Sequence, residues 1–268
     1  MLPLPLRGLS VTFLDVGQGD GICLRTGRYT VLVDGGSSDE KDLGKYRLEP
    51  FLKSQAETVV DYAVVSHGDA DHISGLEELM ESGNIRVRFL VLPAAGKEDP
   101  AYERLEALVR LQGGERLFME KGDRLSLGKL ELTCLYPDGA ARRDRNDHSL
   151  VLRADYGNFH LLLTGDMTLQ GEQEILQDPR TSALLADIQL LKVAHHGSDT
   201  STGEAWVEAA APRWAVVSYG VGNRYGHPKE EVLKRLKKQG TLVYETGRQG
   251  AVTVRTDGKR IRIVTMIP

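Results

Sequence analysis

Residues 66–72 read Ser-His-Gly-Asp-Ala-Asp-His. His67, Asp69, Asp71 and His72 thus place two imidazoles and two carboxylates directly after the apolar run Tyr62–Val65. Nitrogen and oxygen donors of these types are what divalent cations take as ligands. A solvated acidic turn is the competing reading, but the two carboxylates would repel each other unless cations neutralised them. In an extended loop, positions i and i+2 point the same way, so His67 and Asp69 can grip one ion from one side. Asp71 and His72 open the segment that follows and can turn toward a second ion. A pair of ions suits hydrolysis: it activates water at neutral pH and stabilises charge on both the attacking and the leaving oxygen.

Other candidates also follow apolar strand patterns. Asp166 comes after FHLLLTG, His195 and His196 after IQLLKVA, and His227 lies in the loop after RWAVVSYG. Loops at strand ends are where a rigid scaffold presents chemistry. If these strands lie side by side, their ends converge, and Asp166 would bridge two ions from a separate strand. For Asp166 alone the competing reading is a turn aspartate. His227 precedes Pro228, which suits the first position of a helix, so it could instead be a capping-loop residue.

The elements that must hold these residues can be read from periodicity. LSVTFLDV, ICLRTG and YTVLVDGG are three strands joined by glycine turns, and DYAVVS is a strand ending at the histidine cluster. Helices are expected over Arg47–Gln55, after His72 with Ile73, Leu76 and Leu79 on one face, and over Ala101–Gln112, Gly203–Ala211 and Pro228–Gln239. VRFLVLP is a strand, RLSLGKLELTCLYP a hairpin, and HSLVLRADYGNFHLLLTGD two further strands. TLVYET, GAVTVRT and RIRIVTM close the chain as strands. Strands at both ends with helices interspersed predict an α+β fold, a four-layer αββα sandwich of mixed sheets with helices outside. No linker divides the chain, so residues 1–268 read as one domain. MLPLPLRG (residues 1–8) is expected to be a stiff linker.

Composition narrows the class. Apolar residues make up 41% and charged residues 27%, as in an ordinary globular protein. The sequence contains no apolar run of about 18 residues and no signal-peptide pattern. Cys23 and Cys134, each in a strand pattern, read as buried free thiols, with a disulfide as the alternative. The net charge of −4 argues against a general nucleic-acid binder. From Arg224 to Arg262, however, eleven Lys or Arg stand against four Asp or Glu. Such a tail can contact phosphates or form a solvated helix face.

FLDVGQGD, VLVDGG, SHGDADHISG, NDHSLVL, LLLTGD, LKVAHHGS and NRYGHP stand in that order along the chain. The pattern resembles the metallo-β-lactamase-like domain of the ComEC competence (DNA uptake) protein family, from about Leu9 to Val264. The resemblance implies that His67 and Asp69 ligate a first metal and that Asp71 and His72 ligate a second, with Asp166 bridging. It makes His195 the closing ligand of the second site and turns His196 toward substrate. His227 would contact the substrate phosphate or protonate the leaving group, completing a catalytic set with Asp71 and His196. Asp34 would orient the histidine loop. The wider superfamily has histidine where this chain has Asp69. Its third-motif histidine has no direct match, and His148, Asp147 or Asn146 could fill that place.

Three carboxylates in the ligand set make a harder, more anionic site, which favours two Mn²⁺ ions with Zn²⁺ as the competitor; no organic cofactor is expected. The implied activity is that of a metal-dependent nuclease or phosphodiesterase. It would hydrolyse DNA, single-stranded by expectation, and degrade the strand not taken up during transformation. Arg224, Lys229 and the Lys234–Lys238 segment would steer the backbone without reading bases. The implied partner is a parent membrane channel, on the extracytoplasmic face of the cytoplasmic membrane. Two other readings compete: a hydrolase of another ester or a lactam on the same scaffold, and a non-catalytic DNA-guiding module.

Overall fold

The computed structural model describes residues 6–140, 142 and 144–268; the first five residues of the expected linker lie outside them. Along the chain run the strands β1 (Leu9–Phe13), β2 (Gly21–Arg25), β3 (Thr30–Gly35), β4 (Val59–Val64), β5 (Arg86–Pro93), β6 (Glu115–Met119), β7 (Arg124–Leu127) and β8 (Leu130–Tyr136). They continue as β9 (Val151–Tyr156), β10 (Phe159–Leu163), β11 (Leu190–Lys192), β12 (Trp214–Val217), β13 (Leu242–Glu245), β14 (Val252–Thr256) and β15 (Ile261–Thr265). The α-helices are α1 (Glu49–Ser54), α2 (Ala70–Ser82), α3 (Glu103–Leu111), α4 (Leu169–Gln177), α5 (Pro179–Ser182), α6 (Glu204–Ala210), α7 (Glu230–Lys238) and α8 (Thr246–Gln249).

Two mixed sheets result. One runs β15-β14-β1-β2-β3-β4-β5-β6, the other β13-β12-β11-β10-β9-β8-β7. In each, an antiparallel half built from hairpins joins a parallel half, β3 to β6 in the first and β10 to β13 in the second. Period-2 alternation divides the covered strands between two cores. Leu161 and Leu163 of β10 meet Val11, Phe13 and Val31 between the sheets, whereas Leu162 faces outward onto Trp206 and Val232. Leu32 of β3 likewise packs outward with Leu76 and Leu105. Helices α2 and α3 cover one sheet, and α4, α6 and α7 the other. The fold is thus the metallo-β-lactamase type of αββα sandwich, and strands covered on both faces explain the runs such as LLL.

Two stretches escaped the sequence reading. Strand β6 is exposed except at Met119, and its apolar pattern was too short to register. Helices α4 and α5 bury few apolar residues, among them Ile175, and the first turn of α4 carries buried Gly171 and Glu172 instead. Pro228 precedes α7 rather than opening it, because Lys229 occupies the N-cap position. Cys23 and Cys134 are buried and free in different sheets, and burial pushes each thiol up to about 12.

Candidate metal centre

The parallel strands deliver the chemistry. Asp34 lies at the end of β3, His67 just past β4, Asp166 past β10, and His195 and His196 past β11. Carboxyl ends of parallel strands are where α/β folds place ligands. Glycine makes the loops fit. A side chain at Gly36 would strike the α2 backbone, with the His72 nitrogen only 2.5 Å from a Cβ there. At Gly165, with φ +49°, a Cβ would meet the Ser66 and Ser149 side chains at 2.9 and 3.1 Å. Both positions need a residue without Cβ.

Around Asp166 the ring nitrogens converge. Its Oδ1 is 3.2 Å from His72 Nε2, while its Oδ2 lies 3.6 Å from His196 Nε2 and 3.7 Å from His195 Nε2. Ligand atoms of His67, His72 and Asp166 fall within 4.8 Å of one another, and so do those of Asp71, His72 and His196. Asp69 Oδ2 is 3.5 Å from His67 Nε2, and Asp71 Oδ2 is 3.6 Å from His196 Nε2.

The donor set fits divalent cations. His67 Nε2, His72 Nε2, His196 Nε2 and Asp166 Oδ1 are buried without a well-directed hydrogen bond. Four buried polar atoms left unsatisfied around one point is costly unless something binds there. With no cation present, burial opposes charge on His72, yet Asp166 and Asp34 hold its pKa well above the usual value. Burial likewise opposes charge on Asp166, but His196 and His72 drive its pKa well below the carboxylate range. Metal binding here would therefore displace protons.

Supporting hydrogen bonds set the ring orientations. Asp34, a non-glycine residue at φ +55°, accepts from the Ser66 amide at 2.7 Å and from His72 Nδ1 at 3.0 Å. His72 Nε2 is thereby aimed at the centre. His196 Nδ1 donates to the Ser218 carbonyl at 3.0 Å, which aims its Nε2 the same way. Asp69 is held by His67 and, through Oδ1, by Arg145 at 3.2 Å, and its pKa falls to about 2. Arg145 itself forks onto Asp99.

Two expectations change. His196 is almost fully buried and shares the group with Asp71 and His72, whereas the His195 side chain is about a quarter exposed and faces the cavity beside His227. Of the two, His196 rather than the expected His195 thus joins a compact group of candidate ligands, although both Nε2 atoms lie at a similar distance from Asp166 Oδ2. His148 does not reach the cluster. Its Nε2 bonds the Arg142 carbonyl at 3.0 Å, and Nδ1 lies against Gly96. The adjacent Ser149 turns inward instead, accepting from the Asp166 amide at 3.1 Å and lying 3.5 Å from His67 Nδ1. His148 closes a single helical turn over Asn146–His148, and Ser149, just beyond it, is the residue that reaches the centre. Asp147 accepts from the Thr168 hydroxyl, and Asn146 lines the cavity.

Sequence reasoning also passed over Asp20, the last residue of FLDVGQGD. It is fully buried, 2.8 Å from Lys192 Nζ and 3.8 Å from His196 Nδ1. Ser66, between the His67 and His72 rings at 3.1 and 3.2 Å, was likewise passed over. Their quoted motifs were the available signal.

The centre floors a cavity of about 310 Å³ lined by Asp69, Asp71, Asp166, His195, His196 and His227, with Gln18, Asn146, Arg224 and Tyr225 among its other residues. Burial, then His195 and His196, lower the pKa of His227 to about 4. The basic helix is less available than its sequence suggests. Lys234 pairs with Glu230, Lys238 with Glu204, and Arg235 donates to the Thr202 carbonyl.

A sequence model of the metallo-beta-lactamase superfamily matches residues 14–221. The chain is 33% identical over 260 residues to ComE operon protein 3 of Bacillus subtilis, covering 91% of this chain and 33% of that protein. It is 29% identical over 249 residues to competence protein ComA of Neisseria gonorrhoeae, covering 93% and 32% respectively. The chain spans about a third of the length of these curated relatives. Among solved structures, the metallo-beta-lactamase fold protein YhfI of Bacillus subtilis superposes with a TM-score of 0.57 at 14% identity, covering 89% of this chain and 98% of that one. Fold, motifs and these likenesses agree: the chain belongs to the metallo-β-lactamase superfamily.

Proposed function

We propose that this chain is a two-metal phosphodiesterase that hydrolyses DNA. The observation that carries the reading is the position of Asp166, whose carboxylate lies within 4.8 Å of ligand atoms of His67 in one group and of His196 in another. That is how a carboxylate bridging two cations must be placed. His67, Asp69 and Asp166 would hold one ion, and Asp71, His72, His196 and Asp166 the other. Bound there, two divalent cations supply an activated water and neutralise charge developing on phosphoryl oxygens.

The chain's own groups do the rest. Asp34, Ser66 and Ser149 fix the ligand rings and the Asp166 loop. His195 and His227, neighbours at 5.7 Å between ring centroids, face the cavity and would orient a phosphate. Being neutral near pH 7, His227 would act as a hydrogen-bonding imidazole rather than as a fixed cation. Arg224 would meet the backbone on the cavity wall.

The carboxylate-rich set favours Mn²⁺ over a histidine-rich zinc arrangement. The competence-protein relatives support DNA as substrate and, with it, degradation of the strand not taken up. In that reading the domain works on the extracytoplasmic face of the cytoplasmic membrane, beside a membrane channel of a longer parent protein. No helix among the described residues is long and apolar enough to cross a membrane.

The test is turnover by purified protein with Mn²⁺ of labelled single-stranded DNA, duplex DNA, bis-p-nitrophenyl phosphate and nitrocefin. Cleavage of the single strand and the phosphodiester is expected, with nitrocefin untouched. Nitrocefin hydrolysis without phosphodiester turnover would replace the reading with a lactamase. DNA binding without cleavage would replace it with a guiding module.

A further inference from the structure

The cavity continues past the metal-ligating side chains. A second cavity of about 170 Å³ adjoins it, sharing Gln18, Ser38, Arg224 and Tyr225 and otherwise lined by Asp39, Gly222 and Asn223. Tyr225 thus stands where the two meet. The residue is 40% exposed, so core packing does not account for it. It stacks on His227 with 5.7 Å between centroids and 20° between planes. The Arg224 guanidinium lies over the ring, 4.9 Å from its centroid, and donates to the phenol oxygen at 2.7 Å, so the guanidinium plane is itself part of the surface a base would meet.

The loop beneath is stapled. Asn223 Oδ1 accepts from the amides of Tyr225 and His227 at 3.1 and 3.0 Å, while its Nδ2 donates to the carbonyls of Gly220 and His227 at 2.9 and 2.6 Å. Lys229 Nζ adds a bond to the Tyr225 carbonyl at 2.9 Å. An aromatic ring held this firmly loses little conformational freedom when a flat partner lands on it.

We infer that Arg224 and Tyr225 form a stacking shelf for the base of the nucleotide flanking the scissile phosphate. The inference rests on the phosphodiesterase reading and names the residues that would favour strands whose bases are free of a helical stack. Every base presents a π-face, so such a shelf selects for an unstacked base rather than for a sequence. In a duplex the same base must first be unpaired and unstacked, at a cost of a few kcal/mol.

The test compares binding by the full chain, in EDTA, of a fluorescently labelled oligothymidylate and a strand of equal length built from abasic units. Cleavage of both with Mn²⁺ is followed in parallel. Wild type should favour the base-bearing strand by roughly ten-fold, the size of one stacked base. Y225A should erase that preference, Y225W should keep it, and the abasic strand should bind wild type and Y225A alike. Equal binding of both strands by wild type, or full preference retained in Y225A, would overturn the shelf and leave the hydrolase reading standing. A wild-type protein that neither binds nor cuts either strand would remove the nuclease reading, and the shelf with it.

Discussion

Lys192 Nζ lies 2.8 Å from Asp20 Oδ2 with both side chains fully buried, directly behind the His196 ring. An ammonium therefore neutralises one carboxylate of an acid-rich centre from inside the fold. Breaking a buried ion pair from one side leaves an uncompensated charge and costs about 3–5 kcal/mol. K192M should lose stability of that order in urea unfolding, and the D20N/K192M double variant should recover most of it. A K192M loss below about 1 kcal/mol would show that the pair is not what holds this region.

His196 and His195 should separate by their effects. Removal of His196 deletes a buried donor at the centre, so H196A should weaken Mn²⁺ binding by more than the roughly 10–100-fold typical of an outer partner. H195A should keep Mn²⁺ affinity within about ten-fold while phosphodiester turnover falls. Calorimetric titration of both variants decides. The opposite ranking would restore His195 as the ligand.

Asp34 acts through His72. Asparagine tolerates the left-handed conformation at φ +55°, so D34N should fold while replacing the carboxylate that holds the ring. Mn²⁺ affinity should drop about 10–100-fold. Unchanged affinity in folded D34N would mean that the Asp34–His72 bond does not orient the ligand.

The pH response of His227 follows from its surroundings. Burial and the neighbouring His195 and His196 lower its pKa from 6.5 to about 4. Between those values the folded protein binds fewer protons at this site than the unfolded chain. The stability it contributes is thus present above pH 6.5 and lost as the pH falls through that window. In cation-free protein, NMR titration of its ring should give a midpoint near 4, and a midpoint of 6 or above contradicts the placement.

Much of this was legible in the residues. The apolar runs ending in SHGDADH, TGD and HHGS marked the strand ends, because a strand buried on both faces must be apolar throughout. The choice between adjacent residues was not legible. His195 and His196 follow the same strand, and both adopt positive φ, at +50° and +53°. Which ring turns inward depends on the Ser218 carbonyl, contributed by the segment just past β12. His148 and Ser149 pose the same problem, because a single helical turn over Asn146–His148 precedes β9 and the strand's alternation does not extend to them. Asp20 was hidden because its partner, Lys192, lies far away in sequence. Strand β6 carried too little buried surface to leave a pattern.

The central claim is that cations sit where His67, Asp69, Asp71, His72, Asp166 and His196 meet. Elemental analysis of protein equilibrated with Mn²⁺ and desalted, alongside D166A prepared the same way, tests it most directly. Two equivalents per wild-type chain, falling to one or none in folded D166A, is the predicted result. Wild type that holds no metal, or D166A that holds as much as wild type, would contradict it.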